Sequence, residues 1–382
     1  MTDMHKDYSD TFAILRKMVF LNHAGVAPIS GPAATALRTF ADQAESIAYV
    51  DAGWYKRAGE VKRAAAKLMN ADSHREIAFI PNTSSGLSLV ANGLDFEPGD
   101  NVVITNVEYP ANRYPWENLK RLGVELIEVR QGADGRINAQ DVCDAVTDRT
   151  RVVSLSHVQF ASGHRIDLKQ VSDMVHMAGG YLCVDAIQSL GVLPVDVDAM
   201  GIDFLSADGH KWLLGPEGAG VFYCREDLCE MLHPSVVGWM NMVDADNYGD
   251  YHFEFQPDAR RFEPGSWNLP GIHSLGASID LLMDVGIENV WQRVDALTSR
   301  FCEGATDKDY EIFSPRTDPD ERSGIVIFSA PERLGGAESH RKVIHDLEQK
   351  GIVIALREGR LRVSPHFYNT LEQIDRVIEA LP

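Results

Sequence analysis

Between residues 101 and 224 the chain repeats one pattern: a short β-branched or apolar run, then residues of helical spacing. The runs are NVVIT (101–105), VELIEV (124–129), VVSLSHV (152–158), YLCVDAI (181–187), DFLSA (203–207) and GVFYC (220–224). Strands that alternate with helices build an α/β fold, a mainly parallel central sheet with helices on both faces. Runs such as VVSLSHV read as central strands, buried on both sides. IAFI (77–80) is a further strand, followed by the turn PNTSSG (81–86) and the helical LSLVANGL (87–94). Upstream lie a short helical arm (1–18), a strand entering a turn in MVFLNHAG (18–25), and an Ala-rich helical region over 32–70. The segment 240–268 is polar, aromatic and aperiodic, and a loop of that length is usually functional or part of an interface. GIVIFSA (324–330), a helix over 338–350, GIVIAL (351–356) and RLRVSPHF (360–367) form a smaller α+β unit. The expected division is a large domain over 19–270 and a small one from 1–18 with 271–382.

At 382 residues the chain can bury a core for two domains. Its net charge of −20 argues against nucleic acid or an anionic membrane as partner. The five cysteines (Cys143, Cys183, Cys224, Cys229, Cys302) are odd in number and irregular in spacing. They fit reduced thiols in a cytoplasm better than a disulfide framework, and they suggest no metal site. The N-terminus, MTDMHKDYSD, is not that of a signal peptide. No apolar stretch approaches the roughly 18 residues a membrane span needs.

Four signals fall at strand ends, where parallel α/β sheets bind ligands. Lys211 stands in SADGHKWLLGPEGAG (206–220), after an apolar run and before a Gly-rich turn. Asp185 ends the strand YLCVD, with Gln188 three residues on. A lysine for a Schiff base and a strand-end aspartate for a pyridinium nitrogen are the two groups that pyridoxal phosphate chemistry requires. NTSSG (82–86) offers hydroxyls, backbone N–H groups and a helix dipole to a phosphate. Alone it would read as a helix cap. Tyr109 and Asn112, in VEYPANRYPW, follow NVVIT; an aromatic there can stack on a cofactor ring, although an isolated Tyr is more often core or rim. GPEGAG lacks the strand–GxGxxG–helix context of a nucleotide site.

FLNHAG, FIPNTSSGLSLVANGL, VEYPANRYPW, SHVQFASG, VDAIQSLG, SADGHKWLLGPEGAG, FEPGSWN and RVSPHFYNT occur in this order from residue 18 onward. In these motifs the chain resembles the class V aminotransferases, a family that includes cysteine desulfurases and isopenicillin N epimerase-like proteins. The resemblance implies the fold type I architecture of pyridoxal phosphate enzymes. It also implies roles. Lys211 is similar to the Schiff-base lysine and Asp185 to the partner of the ring nitrogen. Gln188 matches a donor to the phenolic oxygen, and Thr83, Ser84 and His210 match phosphate contacts. Tyr109 falls where the family often has a ring-stacking His. Ser266 falls where a partner subunit reaches the phosphate, which implies a homodimer with shared active sites. Arg362 matches the clamp on a substrate carboxylate.

Three departures stand out. REGRLRVS carries no Cys and leaves no room for the loop that holds the desulfurase nucleophile. A family Asn is replaced by Gln159 or Phe160, depending on register. Asp208 stands where relatives often have a phosphate-binding Ser, and it is expected to turn away or cap a turn.

The expected chemistry is proton removal at Cα of an amino acid, with Lys211 as base and Arg362 holding the carboxylate. Transamination, with a keto acid as second substrate, is the default. Lyase chemistry (C–S or other β-elimination) and epimerisation are the alternatives, because the same residues serve all three. A catalytically silent binding protein is disfavoured by retention of both Lys211 and Asp185. His23 is a candidate second acid/base or substrate contact, against the plain reading of a His in a strand-end turn. Arg113, Arg260 and Arg261 are candidates for a side-chain carboxylate, against exposed or interface roles.

Overall fold

The computed structural model describes residues 7–382; the first six residues of the expected N-terminal arm lie outside it. Strands are numbered along the chain. They are β1 (Val19–Phe20), β2 (Ile77–Ile80), β3 (Asn101–Thr105), β4 (Glu125–Val129), β5 (Thr150–Ser156), β6 (Tyr181–Asp185), β7 (Phe204–Asp208) and β8 (Gly220–Cys224), followed by β9 (Glu311–Ile312), β10 (Val326–Ser329), β11 (Ile352–Val353), β12 (Ala355–Arg357) and β13 (Arg360–Val363).

Seven of them form one sheet in the order β2-β8-β7-β6-β5-β3-β4. β4, β3, β5, β6 and β7 run parallel, and β8 is antiparallel to both of its neighbours, β7 and β2. Side chains alternate across a strand, and here each face meets its own core. In β6, Leu182 and Val184 join one apolar cluster, whereas Cys183 joins the other. Both clusters are closed by helices. Ala58, Val61 and Ala65 of Trp54–Leu68 cover the first face, with Ile272, Leu275 and Ile279 of Leu269–Val285; Leu87 and Val90 of Thr83–Gly93 cover the second. The expected α/β architecture is therefore present.

Local details differ from the sequence reading. The helical region 32–70 is two helices, Gly31–Ser46 and Trp54–Leu68. Ala48, Asp51 and Gly53 between them have positive φ, which no continuous helix tolerates. The strand expected over 18–25 contracts to β1, because Asn22 already makes a turn with Gly25. β1 pairs in parallel with β11, tying the N-terminal segment to the C-terminal part of the chain.

A four-stranded antiparallel sheet, β12-β13-β10-β9, has a third core of its own, which includes Phe301, Phe328, Val343, Leu361 and Ile374. The helix Leu269–Val285 packs in the core of the large sheet, and the next helix, Ile287–Thr306, starts after Gly286 (φ +84°). We propose that the domain boundary lies at this break and not before residue 271.

One contact between layers sets the geometry of the ligand-binding end. The helix Thr83–Gly93 is capped by Asn82, whose Oδ1 accepts from the Ser85 N–H at 2.9 Å. Its first residue is stitched to the end of β7. The Ser206 hydroxyl donates to the Thr83 carbonyl, and the Asp208 N–H donates to the Thr83 hydroxyl, both at 3.0 Å. Gly86 permits this approach, since a Cβ there would sit 2.3 Å from Ser206 Oγ. Gly86→Ala is expected to destabilise the fold by about 1–3 kcal/mol through overpacking. Urea unfolding checks this; a variant as stable as the parent would show that the helix can shift freely.

Candidate active site

A cavity of about 560 Å³ opens at the carboxyl ends of the parallel strands. Each wall follows a different strand. Asn82, Thr83 and Ser84 come after β2, Tyr109 after β3 and Phe160 after β5. Asp185 ends β6, with Ile187 and Gln188 beyond it; Asp208, His210 and Lys211 come from the end of β7. The small sheet supplies Arg357 and Arg362, and the segment after β1 supplies Asn22, Ala24 and Gly25. Residues up to 340 positions apart are thus brought together by the β1–β11 pairing and the bridge Asn22↔Ser364.

Asp185 is buried and one carboxylate oxygen accepts from the Ile187 N–H at 3.0 Å. Burial pushes its carboxyl up to about 7, against the opposing pull of that N–H and of Lys211. Burial pushes the Lys211 amine down to about 8, with Asp185 pulling it back up and Arg362 and Arg357 repelling the ammonium. Lys211 Nζ lies 5.5 Å from the centre of the Tyr109 ring. The site therefore holds an amine that is partly neutral near neutral pH, and a carboxyl that lacks a cation of its own. A protonated ring nitrogen would complete the latter.

The next residue fixes the lysine. Trp212 is fully buried, and its indole N–H donates to Gln188 Oε1 at 2.9 Å. The Gln188 amide nitrogen donates one hydrogen to the Ala24 carbonyl, which leaves its second hydrogen for a ligand. Asp208 closes a turn, as expected. Its oxygens accept from the Gly209 N–H and pair with His210 Nδ1 at 2.8 Å. The Asp208 carboxylate is thus matched by an imidazole. Ser84 is exposed at the start of the helix, where backbone N–H groups lack partners within the helix.

Arg362 is 1% exposed. It donates to the Phe160 carbonyl and to Asn22 Oδ1, each at 3.2 Å, and its Nε has no partner. Burial lowers its pKa, with repulsion by Arg357 adding to the effect; a guanidinium stays charged regardless. The ambiguity over residues 159 and 160 resolves. Gln159 is buried and donates to Glu108, while Phe160 lines the cavity, edge-on to Tyr109 at 5.2 Å.

Five of the candidate residues lie outside the cavity of this chain. His23 lies behind its wall, fully buried, with its ring nitrogens on the Ser364 carbonyl and the Tyr368 hydroxyl, so it has no free nitrogen to offer. Burial drives it well below the ordinary imidazole value. Ser266 is exposed in a separate depression beside Gly218 and Asn268. Arg113 forks onto Glu128 and Arg260 onto Asp258, and Arg261 is buried over Phe255. Asn22 and Arg357 were not anticipated. Only the turn after β1 and the pairing of β12 with β13 reveal them.

Fold and site together define a pyridoxal phosphate enzyme of fold type I. The aminotransferase class-V model matches residues 39–377, and the chain belongs to that family. A probable cysteine desulfurase of Methanothermobacter thermautotrophicus is 32% identical, over 98% of this chain and 97% of that protein. Among solved structures, an apo cysteine desulfurase from Thermococcus onnurineus NA1 is similar in fold, with a TM-score of 0.89 at 23% identity over 99% of this chain and 97% of that one. A cystine C-S lyase, C-DES, solved with its product cysteine persulfide, has a TM-score of 0.86 at 23% identity over 96% of this chain and 98% of that one.

The Lys211 environment carries a direct test. In the cofactor-free protein, acetylation of Lys211 should follow a midpoint near pH 8, with surface lysines titrating higher. In Asp185→Ala the midpoint should fall further, because the lost negative charge had favoured the ammonium. Mass-spectrometric labelling across pH reads both, and a Lys211 that titrates with the surface lysines would refute this account of the pocket.

Proposed function

We propose that this enzyme is a pyridoxal phosphate-dependent lyase that breaks the C–S bond of cysteine-derived amino acids by β-elimination. One observation carries the reading. β12 and β13 are joined by only Glu358 and Gly359, both at positive φ, with Arg362 the third residue of β13. A two-residue turn of this kind cannot hold an extended loop with a nucleophilic thiol. Nor does any cysteine line the cavity: four are buried elsewhere, and Cys302 is in the third core. The relatives named for sulfur chemistry favour C–S cleavage over the transamination default, and the missing thiol favours release of the sulfur product over its capture on the protein.

Pyridoxal phosphate, when bound, supplies an electron sink for charge developing at Cα. In this reading Asp185 keeps the ring nitrogen protonated, since a buried anion stabilises the cation beside it. Ser84, Thr83 and His210 hold the phosphate, with His210 oriented by Asp208. Gln188 donates to the phenolic oxygen, and Tyr109 covers the ring. Lys211 carries the cofactor and then moves the Cα proton. Arg362, steadied by Asn22 and the Phe160 carbonyl, orients the carboxylate so that the Cα–H bond faces Lys211. Phe160 beside Tyr109 excludes water from that wall. The overall change consumes one water. It turns the amino acid into a thiol, pyruvate and ammonia, and the departing sulfur takes a proton. Ser266 is assigned to the site of a partner copy, which makes the working unit a homodimer.

Incubation with S-alkyl cysteines should release thiol, pyruvate and ammonia in equal amounts. A variant with all five cysteines changed to Ala, provided it folds, should keep this activity. Arg362→Ala should lower kcat/KM by roughly 30-fold to several-thousand-fold, the cost of about 2–5 kcal/mol for truncating a desolvated charge pair. Borohydride should fix the cofactor to Lys211. Formation of the substrate's own keto acid without thiol would return the reading to an aminotransferase, and a persulfide on a native cysteine would return it to a desulfurase.

A further inference from the structure

Close to Asp185 lies a second buried carboxylate that the roles above do not use. Glu108 stands in the loop after β3, next to Tyr109, and is 7% exposed. Its Oε1 accepts from the Thr105 hydroxyl at 2.8 Å and from the Gln159 side-chain amide at 2.9 Å. Its Oε2 accepts from the Asn112 side-chain amide at 2.9 Å and from the Ser156 hydroxyl. The Ser156 N–H lies 3.2 and 3.1 Å from the two oxygens. Five donors thus converge on one carboxylate, and an ionised carboxylate only accepts. Among the described residues no ammonium, guanidinium or imidazole makes an ion pair with it.

The plain use of this arrangement is to tie the loop after β3 to the loop after β5. A tie of that kind needs no charge, and a buried carboxylate without a cation is costly to keep. The charge has an effect at Asp185. Ser156, which gives Glu108 two of its hydrogen bonds, is the register partner of Asp185 in the β5–β6 ladder. Neighbouring strands lie only about 4.8 Å apart, and the His157 N–H closes the gap further by donating to the Asp185 carbonyl at 3.1 Å. The negative charge of Glu108 raises the Asp185 carboxyl, in the same direction as burial, while Lys211 and the Ile187 N–H pull the other way. Of the other charged groups at the cavity, Asp208 pairs with His210, and Arg357 and Arg362 bear on Lys211. Two carboxylates therefore face one ammonium, and a second cation placed at Asp185 would balance them.

We propose that Glu108 is a positioning residue for the cofactor, a fixed second anion that acts through Asp185 to hold the proton on the ring nitrogen. This rests on Asp185 as the partner of that nitrogen, and it holds whichever reaction the enzyme performs. Glu108 touches neither cofactor nor substrate. An opposite charge nearby favours the protonated ring, and two anions favour it more than one. The donors from both loops keep the carboxylate from turning away, so its charge stays at a constant place beside the end of β6.

The test reads protons, not turnover. In the cofactor-free protein, NMR of aspartate labelled with 13C at the side-chain carboxyl follows Asp185, whose signal is the one missing in Asp185→Asn. The parent midpoint should lie near pH 7. Glu108→Gln removes the charge at nearly constant shape, and its midpoint should fall by about half a pH unit or more. In the loaded protein, pyridoxal phosphate labelled with 15N in the ring reports the proton on that nitrogen. Glu108→Gln should lose this proton at a lower pH than the parent. Glu108→Asp keeps the charge but reaches fewer donors, and it should stay close to the parent in both measurements. A Gln variant that titrates like the parent, or an Asp variant that shifts as far as the Gln variant, would overturn the proposal and leave Glu108 a loop tie. If Glu108→Gln does not fold, Glu108→Gln combined with Asn112→Asp is read in its place. That pair exchanges donor and acceptor across one hydrogen bond and moves the charge toward Ser154, whose register partner is Cys183, away from the end of β6. A smaller shift in the same direction is expected from it, and no shift would again overturn the proposal. Asp185→Ala separates the two assignments. A ring nitrogen that keeps its proton there as in the parent would refute Asp185 as ring partner, and the proposal with it. A proton lost in Asp185→Ala but unmoved in Glu108→Gln would refute the role of Glu108 alone.

Discussion

Two opposite charges are buried at the end of the large sheet, and the site is organised around their cost. Removing a carboxylate and an ammonium from water is expensive, and their mutual attraction offsets only part of it. Asp185 and Lys211 show that residue of cost as a carboxyl raised to about 7 and an amine lowered to about 8. A stability-driven fold would replace them with apolar side chains. Their retention in a cavity is what a functional site looks like in physical terms. The surroundings hold the geometry rigid: Ile187 supplies an N–H to Asp185, and Trp212 is pinned between Gln188 and His366.

Trp212 also links the sheets. Its carbonyl accepts from His366 at 3.0 Å, and its ring packs so closely that a Cβ on Gly324 would fall 2.5 Å from it. Lys211, next to it in the chain, is therefore placed by contacts with the small sheet as well as the large one. The same seam brings Arg362 and Asn22 together. A change in how the sheets pack would move the Lys211 amine, the Arg362 guanidinium and the cavity mouth at once.

Only Glu358 and Gly359 join β12 to β13, and the hairpin they close carries both Arg357 and Arg362 at the cavity wall.

The sequence by itself determined the elements that local chemistry controls. Apolar runs of strand length, separated by helical spacing, point to a mainly parallel sheet covered on both faces, although β8, equally buried, runs antiparallel to its neighbours. Thr83, Asp185, Gln188 and Lys211 were legible as a cluster because they stand at or just after the ends of β2, β6 and β7, strands that run in one direction and end on one side. His23 was not legible. Its neighbours in sequence show a turn, while its actual partners, Ser364 and Tyr368, lie at the other end of the chain. Arg357 was hidden for the same kind of reason. Its sequence neighbours mark it as one of three arginines in REGRLR, and only the register Arg357↔Arg360 and Ala355↔Arg362 decides which of them share a face. Tertiary structure also settled that Phe160, not Gln159, faces the cavity. A one-residue shift after a strand reverses the side on which a side chain points, and only the packed neighbours, here Glu108 on one side and Tyr109 on the other, select between the two.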